Sequence, residues 1–387
     1  MQDNYIYLDN AATTPLDPAV LAAMSPYFTE RFYNASSRYA PAIANSRDLE
    51  AARGIVADLL KARPAEIIFT SGGSEGDNLA LKGVLEGWEL LGHPERNHLI
   101  TTPVEHHANL YTARRLAEKG YRVTFLPVDG AGRVNPADVA AAITPQTALI
   151  SVMLANNEIG TVQPVAEIGK IARAHGVPFH TDAVQAAGQL PLDVEALNID
   201  LLTLAAHKFY GPKGVGLLYV RRGTPLAAQT LGGAQERNRR AGTENLPGII
   251  GMVAAYKLAT ERLEYDRARF EALRDHMISG VREALPEAML TGAEPPDRLP
   301  GHASFCFRNV EGETILLGLE ERGILCSSGS ACAAGSTEPS HVLTAIGLSE
   351  ELAHTAVRFT LGRSTTMQEI DYVLQVLPEV ISALRAG

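Results

Sequence analysis

The sequence predicts an α/β protein whose large domain has a mostly parallel sheet and whose smaller domain is α+β. From about residue 44 to 220, apolar segments of strand length alternate with segments of helical period. After residue 246 this alternation gives way to long helical stretches and a few strand candidates. With 387 residues, 46% of them hydrophobic and 20% charged, the chain is long enough for two domains or one large α/β unit.

The strand candidates of the large domain are apolar runs bounded by turn residues. They read EIIFT, HLITT, RVTFLPV, ALISVML, VPFHTD, LLTLAA and VGLLYV. Between them lie amphipathic segments such as PVAEIGKIARAH, in which Val165, Ile168, Ile171 and Ala172 share one face. Strands that alternate with such helices favour a parallel sheet covered by helices. We expect this domain to span residues 15–260.

The smaller domain is expected to combine residues 1–14 with residues 261–387. Its strand candidates are SFCFRN and VRFTL, and its closing helix carries an apolar stripe. The stripe consists of Ile370, Val373, Leu374, Leu377, Val380, Ile381 and Leu384. Because no Pro/Gly-rich linker separates the two parts, we expect the domains to share an interface.

Composition excludes several classes of function. The 34 basic and 44 acidic residues give a net charge of −10, which disfavours nucleic acid or an anionic membrane as a partner. The longest apolar run, GIIGMVAAY, is too short to span a bilayer, and the opening residues lack a leader pattern, so we expect a cytoplasmic protein. Three cysteines make no disulfide framework, and the C-x5-C spacing of Cys326 and Cys332 is not that of a zinc knuckle. No metal is expected.

The loops that follow the strand candidates carry the chemistry. In a parallel sheet, ligands gather at the carboxyl ends of the strands. SGGSEGDN follows one strand and leads into a helix, whose free amides and positive end suit a phosphate. Asp182 ends the strand candidate VPFHTD. Lys208 follows the continuous apolar run LLTLAA and precedes a Gly-Pro turn, and this position suggests that Lys208 is partly buried. Burial lowers the pKa of a lysine and makes its amine a usable nucleophile.

Two adjacent histidines, His106 and His107, occupy a further loop, PVEHHAN. Neighbouring side chains point in different directions in regular structure. We therefore expect one catalytic ring and one surface ring rather than a shared metal.

A phosphate cradle, a buried lysine and an acid able to pair with a pyridinium nitrogen are the protein parts that pyridoxal 5'-phosphate needs. A series of short motifs then becomes recognisable: YLDNAATTP, FTSGGSEGDN, NNEIG, HTDAVQ, HKFYGPKG, RAGTEN, SSGSAC and VRFTLGR. In this order they resemble the cysteine desulfurases, NifS-like and IscS-like enzymes of the class V aminotransferases. The resemblance covers nearly the whole chain and implies the fold type I of pyridoxal-phosphate-dependent transferases and a homodimer.

The resemblance implies a role for each residue around the cofactor ring. Lys208 would hold the cofactor covalently, and Asp182 would pair with the pyridine nitrogen. Gln185 and Asn157 would hydrogen-bond the phenolic oxygen, and His106 would stack on the ring and assist proton transfers.

The resemblance also implies the phosphate ligands. Gly73, Ser74 and His207 match residues of the phosphate cradle, and Thr243 matches a residue that reaches the phosphate of the other subunit. Where many relatives have a serine two residues before the histidine of the His-Lys pair, this chain has Ala205. One lost hydrogen bond is worth about 0.5–1.5 kcal/mol, so we expect weaker cofactor retention but not loss of binding.

The substrate implied by the resemblance is L-cysteine. Arg358 would bind its carboxylate through a two-pronged ion pair, with Asn34 nearby. Lys208 would remove the α-proton, and the Cys332 thiolate would take the sulfur as a persulfide, leaving L-alanine. The Gly/Ser-rich surroundings of Cys332 suit a thiol that travels to a sulfur-acceptor protein in iron-sulfur cluster assembly or tRNA thiolation. His106 is the candidate partner that activates this thiol.

The remaining two cysteines are expected to be structural. Cys306 sits in an apolar strand candidate, and Cys326 is interpreted as a packing residue at a strand end, with a resolving thiol as the alternative. Other functions on the same scaffold also stay open, namely a selenocysteine lyase, a small-substrate aminotransferase or a non-enzymatic scaffold for iron-sulfur assembly. An aminotransferase would not need Cys332, and a selective selenocysteine lyase would ignore L-cysteine.

Overall fold

The computed structural model describes residues 5–328 and 338–386. The strands are β1 (Ile6–Tyr7), β2 (Ile67–Thr70), β3 (His98–Thr101), β4 (Arg122–Phe125), β5 (Thr147–Ser151), β6 (Phe179–Asp182), β7 (Leu201–Ala205), β8 (Gly216–Val220), β9 (Met289–Leu290), β10 (His302–Cys306), β11 (Ile324–Leu325) and β12 (Ala356–Thr360). The helices are α1 (Pro18–Met24), α2 (Pro26–Thr29), α3 (Ala40–Leu60), α4 (Gly73–Leu90), α5 (His107–Glu118), α6 (Pro136–Ala142), α7 (Val165–Ala174), α8 (Gln235–Asn238), α9 (Leu246–Glu261), α10 (Leu263–Ala284), α11 (Gly312–Glu320), α12 (His341–Ala345), α13 (Glu350–Ala353) and α14 (Met367–Ala386). Short 3-10 turns cover Pro64–Glu66 and Ala206–Lys208.

The central sheet has the strand order β2-β8-β7-β6-β5-β3-β4. The run from β4 to β7 is parallel, and β8 is antiparallel to both of its neighbours, β7 and β2. This confirms the mostly parallel sheet predicted from the alternating pattern. The carboxyl ends of the neighbouring central strands β6 and β7 therefore lie side by side, next to the beginning of α4.

Both faces of this sheet are buried, as the continuous apolar strands require. Along β8, Leu217 and Tyr219 enter one hydrophobic core, and Leu218 and Val220 enter the core on the opposite face. One core also holds residues of α3, α7 and α9, and the other holds residues of α4 and α5. Helices thus cover the sheet on two sides, which fixes the strand ends rigidly.

A separate core is built around the antiparallel sheet β12-β10-β9 and the helices α10, α11 and α14. The predicted closing helix is confirmed as α14, with Ile370, Val373, Leu377 and Val380 buried in this core. The amino-terminal strand β1 pairs in parallel with β11, so the amino-terminal segment joins the part of the chain that forms this core. The domain boundaries at residues 15 and 260 stay a prediction.

None of the helices within the described ranges has the length and apolar character that crossing a membrane requires.

Candidate active site

A cavity of about 350 Å³ opens at the carboxyl ends of β6 and β7. It brings together most of the residues predicted from the sequence. Those that line it are Gly73, Ser74, His106, Asn157, Asp182, Gln185, His207, Lys208 and Arg358. Residues from six separate segments of the chain therefore border one cavity.

Lys208 ends the tight turn that follows β7 and lies half-buried at the cavity wall. Its Nζ donates to the carbonyl oxygen of Ala12 at 2.7 Å and to that of Ala11. The same stretch accepts a hydrogen bond from Gln185 Nε2 at the Ala11 carbonyl (3.0 Å). The YLDNAATTP segment is thus a wall of the site, and it holds the Lys208 amine beside the cavity.

Asp182 is the last residue of β6 and is 5% exposed. Its Oδ1 accepts the backbone N–H of Val184 at 2.9 Å. Burial raises the pKa of Asp182 to about 6, while the Val184 hydrogen bond and the nearby Lys208 charge act in the opposite direction. The carboxylate is therefore the dominant form near neutral pH.

His106 caps the amino terminus of α5, where its Nδ1 accepts the N–H of Ala108 at 3.2 Å. The proton of the neutral ring accordingly sits on Nε2. Burial, followed by the charge of Lys208, lowers the pKa of His106 to about 4. A neutral imidazole of this kind can stack on an aromatic ring and exchange a proton.

The expectation that His107 is a surface ring is wrong. His107 also lines the cavity, stacks on Tyr111 with 4.7 Å between ring centroids, and contacts the His341 ring at 4.5 Å. His341 Nε2 in turn lies 2.9 Å from the Glu105 carbonyl oxygen. Because α5 begins at His107, the two histidines leave the loop and the helix at an angle that lets both rings border the same space.

The beginning of α4 forms a cradle suited to a phosphate. Its cap residue, Gly72, has no side chain to occupy the first helical amides. A Cβ on Gly73 would lie 2.9 Å from Val184 Cγ2 and 3.6 Å from Ala205 Cβ, so a side chain at this position would displace Val184. Ala205 lines the cavity here and offers no hydrogen-bonding group, in keeping with the expected loss of one phosphate contact.

Arg358 reaches the cavity from β12, in the other core, and is 2% exposed. Its Nη2 donates to Asp9 Oδ1 at 2.8 Å and its Nη1 donates to the Asn157 carbonyl oxygen at 2.9 Å. Its buried Nε has no hydrogen-bond partner within the described residues. The guanidinium is thus fixed in orientation and retains a donor for an anionic group.

Two predicted residues do not fall in this cavity, and a third lies outside the described part of the chain. Asn34 lies exposed in the loop before α3, where its Oδ1 accepts the N–H of Ser36 at 2.9 Å. Thr243 is exposed and borders a smaller cavity of about 100 Å³ with Arg240 and Ser71. Cys332 lies outside the described residues. The roles expected of Asn34, Thr243 and Cys332 stay predictions.

Several ionisable residues of the site were missed by the sequence reasoning. Asp77 lies one helical turn beyond Gly73 and lines the cavity, a spacing that could have identified it. Glu158 also lines the cavity, and burial raises its pKa to about 7. Asp9 contacts Arg358, and the sequence contains no local signal for that pairing, because 349 residues separate the two.

The two described cysteines pack against apolar cores, and their structural roles stay predictions. Cys306 is fully buried in β10, and burial raises its pKa to about 11. Cys326 directly follows β11 and packs against the core of the smaller sheet. Burial, with a smaller contribution from Asp9, raises the pKa of its thiol far above the usual range.

Comparison with known proteins gives one consistent result. The family model for the class-V aminotransferases matches residues 6–373. A relative from Clostridium botulinum named cysteine desulfurase IscS is 48% identical over 381 residues, which are 98% of this chain and 95% of the relative. A solved structure described as a NifS-like protein superposes with a TM-score of 0.91 at 37% identity and covers 98% of this chain and 100% of its own. Another, described as SspA in complex with cysteine, has a TM-score of 0.79 at 38% identity and covers 92% of this chain and 98% of its own.

These matches extend over nearly the whole chain, and the fold is the one they share. The chain belongs to the cysteine desulfurases of the class-V aminotransferase family.

Proposed function

We propose that this protein uses pyridoxal 5'-phosphate to remove sulfur from L-cysteine, giving L-alanine and a persulfide on Cys332. The observation that carries the proposal is the convergence of Lys208, Asp182, His106 and Arg358 on one cavity of about 350 Å³. The solved relative described as a complex with cysteine supports the choice of substrate.

The residues of the cavity fit this cofactor. The uncapped beginning of α4, with Gly73 and Ser74, and the His207 side chain suit a phosphate. The Asp182 carboxylate suits a protonated ring nitrogen. When bound, pyridoxal 5'-phosphate supplies an electron sink for the bonds of the substrate α-carbon. Asn157 and Gln185 border the same space and are proposed to contact the ring.

The chain's own groups then divide the work. Arg358 binds the α-carboxylate of cysteine, because its guanidinium is buried and already oriented by Asp9. Lys208 Nζ moves away from the Ala12 carbonyl oxygen and takes the α-proton of the substrate. The carbonyl oxygens of Ala11 and Ala12 then accept hydrogen bonds from the resulting ammonium group. His106 is neutral and carries its proton on Nε2, and this N–H orients the substrate in the cavity.

The sulfur step is assigned to Cys332. Its thiolate attacks the substrate sulfur, the carbon–sulfur bond breaks, and the electron pair of that bond goes to the substrate β-carbon. That carbon is protonated, and Lys208 returns the proton it took to the α-carbon, which gives alanine. The new sulfur–sulfur bond stays on the protein as a persulfide, and a thiol reductant or an acceptor protein releases it.

The test is the release of alanine and sulfide from L-cysteine in the presence of a thiol reductant. The wild type should form both in equal amounts, and Cys332→Ala should keep its yellow colour and form neither. Full activity of Cys332→Ala would overturn the role of this thiol and favour an aminotransferase or lyase. Selenocysteine, assayed in parallel, distinguishes a selective selenocysteine lyase, which would leave L-cysteine untouched.

The proposal extends to the setting of the reaction. We propose a homodimer in the cytoplasm, with Thr243 contributing to the neighbouring subunit's phosphate site, and sulfur delivery to an acceptor protein for iron-sulfur cluster assembly or tRNA thiolation. The exposed position of Thr243 supports this arrangement. Sedimentation of the purified protein at twice the mass of the 41.4 kDa chain is the expected result.

A further inference from the structure

We propose that Asp77 is a positioning residue that retains a proton and donates it in a hydrogen bond to the Asp182 carboxylate, keeping Asp182 ionised and aimed at the cofactor ring nitrogen. The inference deepens the proposed function and depends on it, since it concerns the group that Asp182 would face.

The position of Asp77 is the first observation. Asp77 lies on α4, is 1% exposed and lines the same cavity as Asp182. An oxygen of each carboxyl group and a ring nitrogen of His106 all lie within 4.8 Å of one another. Asp77 Oδ1 is buried and has no hydrogen-bond partner among the described residues. Two carboxyl groups so close together and so deeply buried cannot both carry a charge.

Within residues 5–328 and 338–386, no cation beside Asp77 balances a second negative charge. His180 Nε2 lies 3.7 Å from Asp77 Oδ1, but the two ring nitrogens of His180 are already 2.8 Å from Ser151 Oγ and 3.0 Å from Thr203 Oγ1. Burial lowers the pKa of His180 to about 3, so the ring is neutral. The Thr203 hydroxyl also faces Asp77 and supplies a neutral partner, not a charge.

The remaining ionisable neighbours place the proton on Asp77 rather than on Asp182. His106 is neutral and supplies no positive charge to Asp77. Glu105, whose pKa burial raises to about 8, is protonated near pH 7 and adds no charge of its own. Burial and the Asp182 charge raise the pKa of Asp77 well above its usual range. Asp182, in contrast, has the Val184 N–H and the Lys208 charge, both of which favour its ionised form.

The arrangement explains how one carboxylate can stay charged inside a buried cavity. A protonated Asp77 brings a hydrogen-bond donor and no charge, so it lowers the pKa of Asp182. An ionised Asp77 would raise it. The two possibilities thus predict opposite effects of removing the Asp77 carboxyl group.

The experiment compares wild type, Asp77→Asn and Asp77→Ala, each purified with pyridoxal 5'-phosphate bound. Visible absorbance is followed while the pH is lowered from about 8 to about 5, a range that contains the pKa of about 6 of Asp182. The dissociation constant of pyridoxal 5'-phosphate is measured at neutral pH for each variant. Thermal unfolding of each variant checks that it is folded.

With Asp77 protonated, Asp77→Ala releases the cofactor at a pH about one unit higher and binds it about tenfold more weakly, the effect of one hydrogen bond to a charged group. Asp77→Asn, whose amide replaces the O–H donor, stays within about threefold of wild type. A shift of either variant to lower pH, or an unchanged Asp77→Ala, overturns the inference. If Asp77→Ala does not fold, the pH of cofactor release in Asp77→Asn decides the question: a pH close to that of wild type supports the inference, and a lower pH overturns it. Wild type that binds no pyridoxal 5'-phosphate would instead overturn the proposed function.

Discussion

At the scale of single residues, we propose that the orientation of Arg358 sets the affinity for the substrate. Asp9 and the Asn157 carbonyl occupy Nη2 and Nη1, and they keep the guanidinium plane in one position. A lysine cannot satisfy Asp9 and a carboxylate together in this geometry. We expect Arg358→Lys to lower kcat/KM for L-cysteine on the order of tenfold to a hundredfold, with an unchanged cofactor spectrum. Arg322→Lys, at an exposed ion pair with Glu379, is the matched control. Equal kcat/KM in Arg358→Lys and wild type would remove Arg358 from the substrate site.

The three cysteine thiols are expected to differ in reactivity. Burial raises the pKa of Cys306 to about 11 and raises that of Cys326 further, so both are protonated at the pH of an ordinary labelling reaction. We expect iodoacetamide to modify Cys332 in the folded protein and to spare the other two. Peptide mass spectrometry after brief labelling measures this, and unfolded protein, in which all three react, is the control. Early labelling of Cys326 would favour the alternative of a resolving thiol.

At the scale of elements, a buried ion pair secures the turn α8 onto α3. Arg53 and Glu236 have side chains that are 2% exposed and form a bidentate pair at 2.7 and 2.9 Å. Glu236 and the next two residues, Arg237 and Asn238, all have left-handed φ angles of 45°, 57° and 62°. Such angles are costly for residues with a side chain, so the ion pair is what stabilises the turn.

Removal of one partner tests this interpretation. Glu236→Ala removes the bidentate partner of the buried Arg53 charge, which keeps only Glu50 and the Ile67 carbonyl, and it leaves the Phe69 N–H without its acceptor. We expect the free energy of unfolding in urea to fall by about 3 kcal/mol. The double variant Arg53→Met with Glu236→Leu removes the buried charge as well and should recover part of that loss, but not the part due to the Phe69 N–H. A loss below about 1 kcal/mol in Glu236→Ala would show that the turn is stabilised by other contacts.

The same turn illustrates the limit of sequence-based prediction. Most strands of the central sheet were predictable because they bury both faces and therefore read as continuous apolar runs. Asp182 and Lys208 were predictable because they lie at the end of such a run or shortly after it. The α8 turn depends on a partner 183 residues away in the sequence, and no local pattern reports that contact. The spacing of Asp77 from Gly73 indicates that it faces the cavity, but its proximity to Asp182 depends on the packing of α4 against β6, which no local pattern reports.

At the scale of the whole molecule, several buried acids and histidines around the cavity are neutral near pH 7, whereas Asp182 is ionised. Glu105 accepts hydrogen bonds from the Met153 N–H at 3.0 Å and from the Thr102 hydroxyl at 2.8 Å. These hydrogen bonds lower the pKa of Glu105, but its burial has the larger effect and raises the pKa to about 8. Buried histidines such as His180 shift in the other direction, to a pKa of about 3. Folding is therefore linked to pH with opposite signs for the two kinds of group.

For Glu105 the sign follows from proton counting. Between its usual pKa of 4.5 and about 8, the folded protein keeps the proton and the unfolded chain has lost it. The free energy of unfolding should therefore fall with rising pH in this window by about 1.4 kcal/mol per pH unit from this group, and level off above it.

Glu105→Gln isolates that contribution, because the amide is neutral at every pH and keeps the oxygen that accepts from Met153. The Asn109 Oδ1, which lacks a partner among the described residues, can turn to accept from the new amide. We expect urea unfolding between about pH 5.5 and about pH 8 to give a curve for Glu105→Gln that falls less steeply than that of wild type by about 1.4 kcal/mol per unit. The histidines contribute equally to both curves and cancel in the difference. Glu321→Gln, at an exposed position, should run parallel to wild type. Parallel curves for Glu105→Gln and wild type would mean that Glu105 is ionised in the folded protein, in which case the cavity contains one more negative charge than the arrangement of its hydrogen bonds implies.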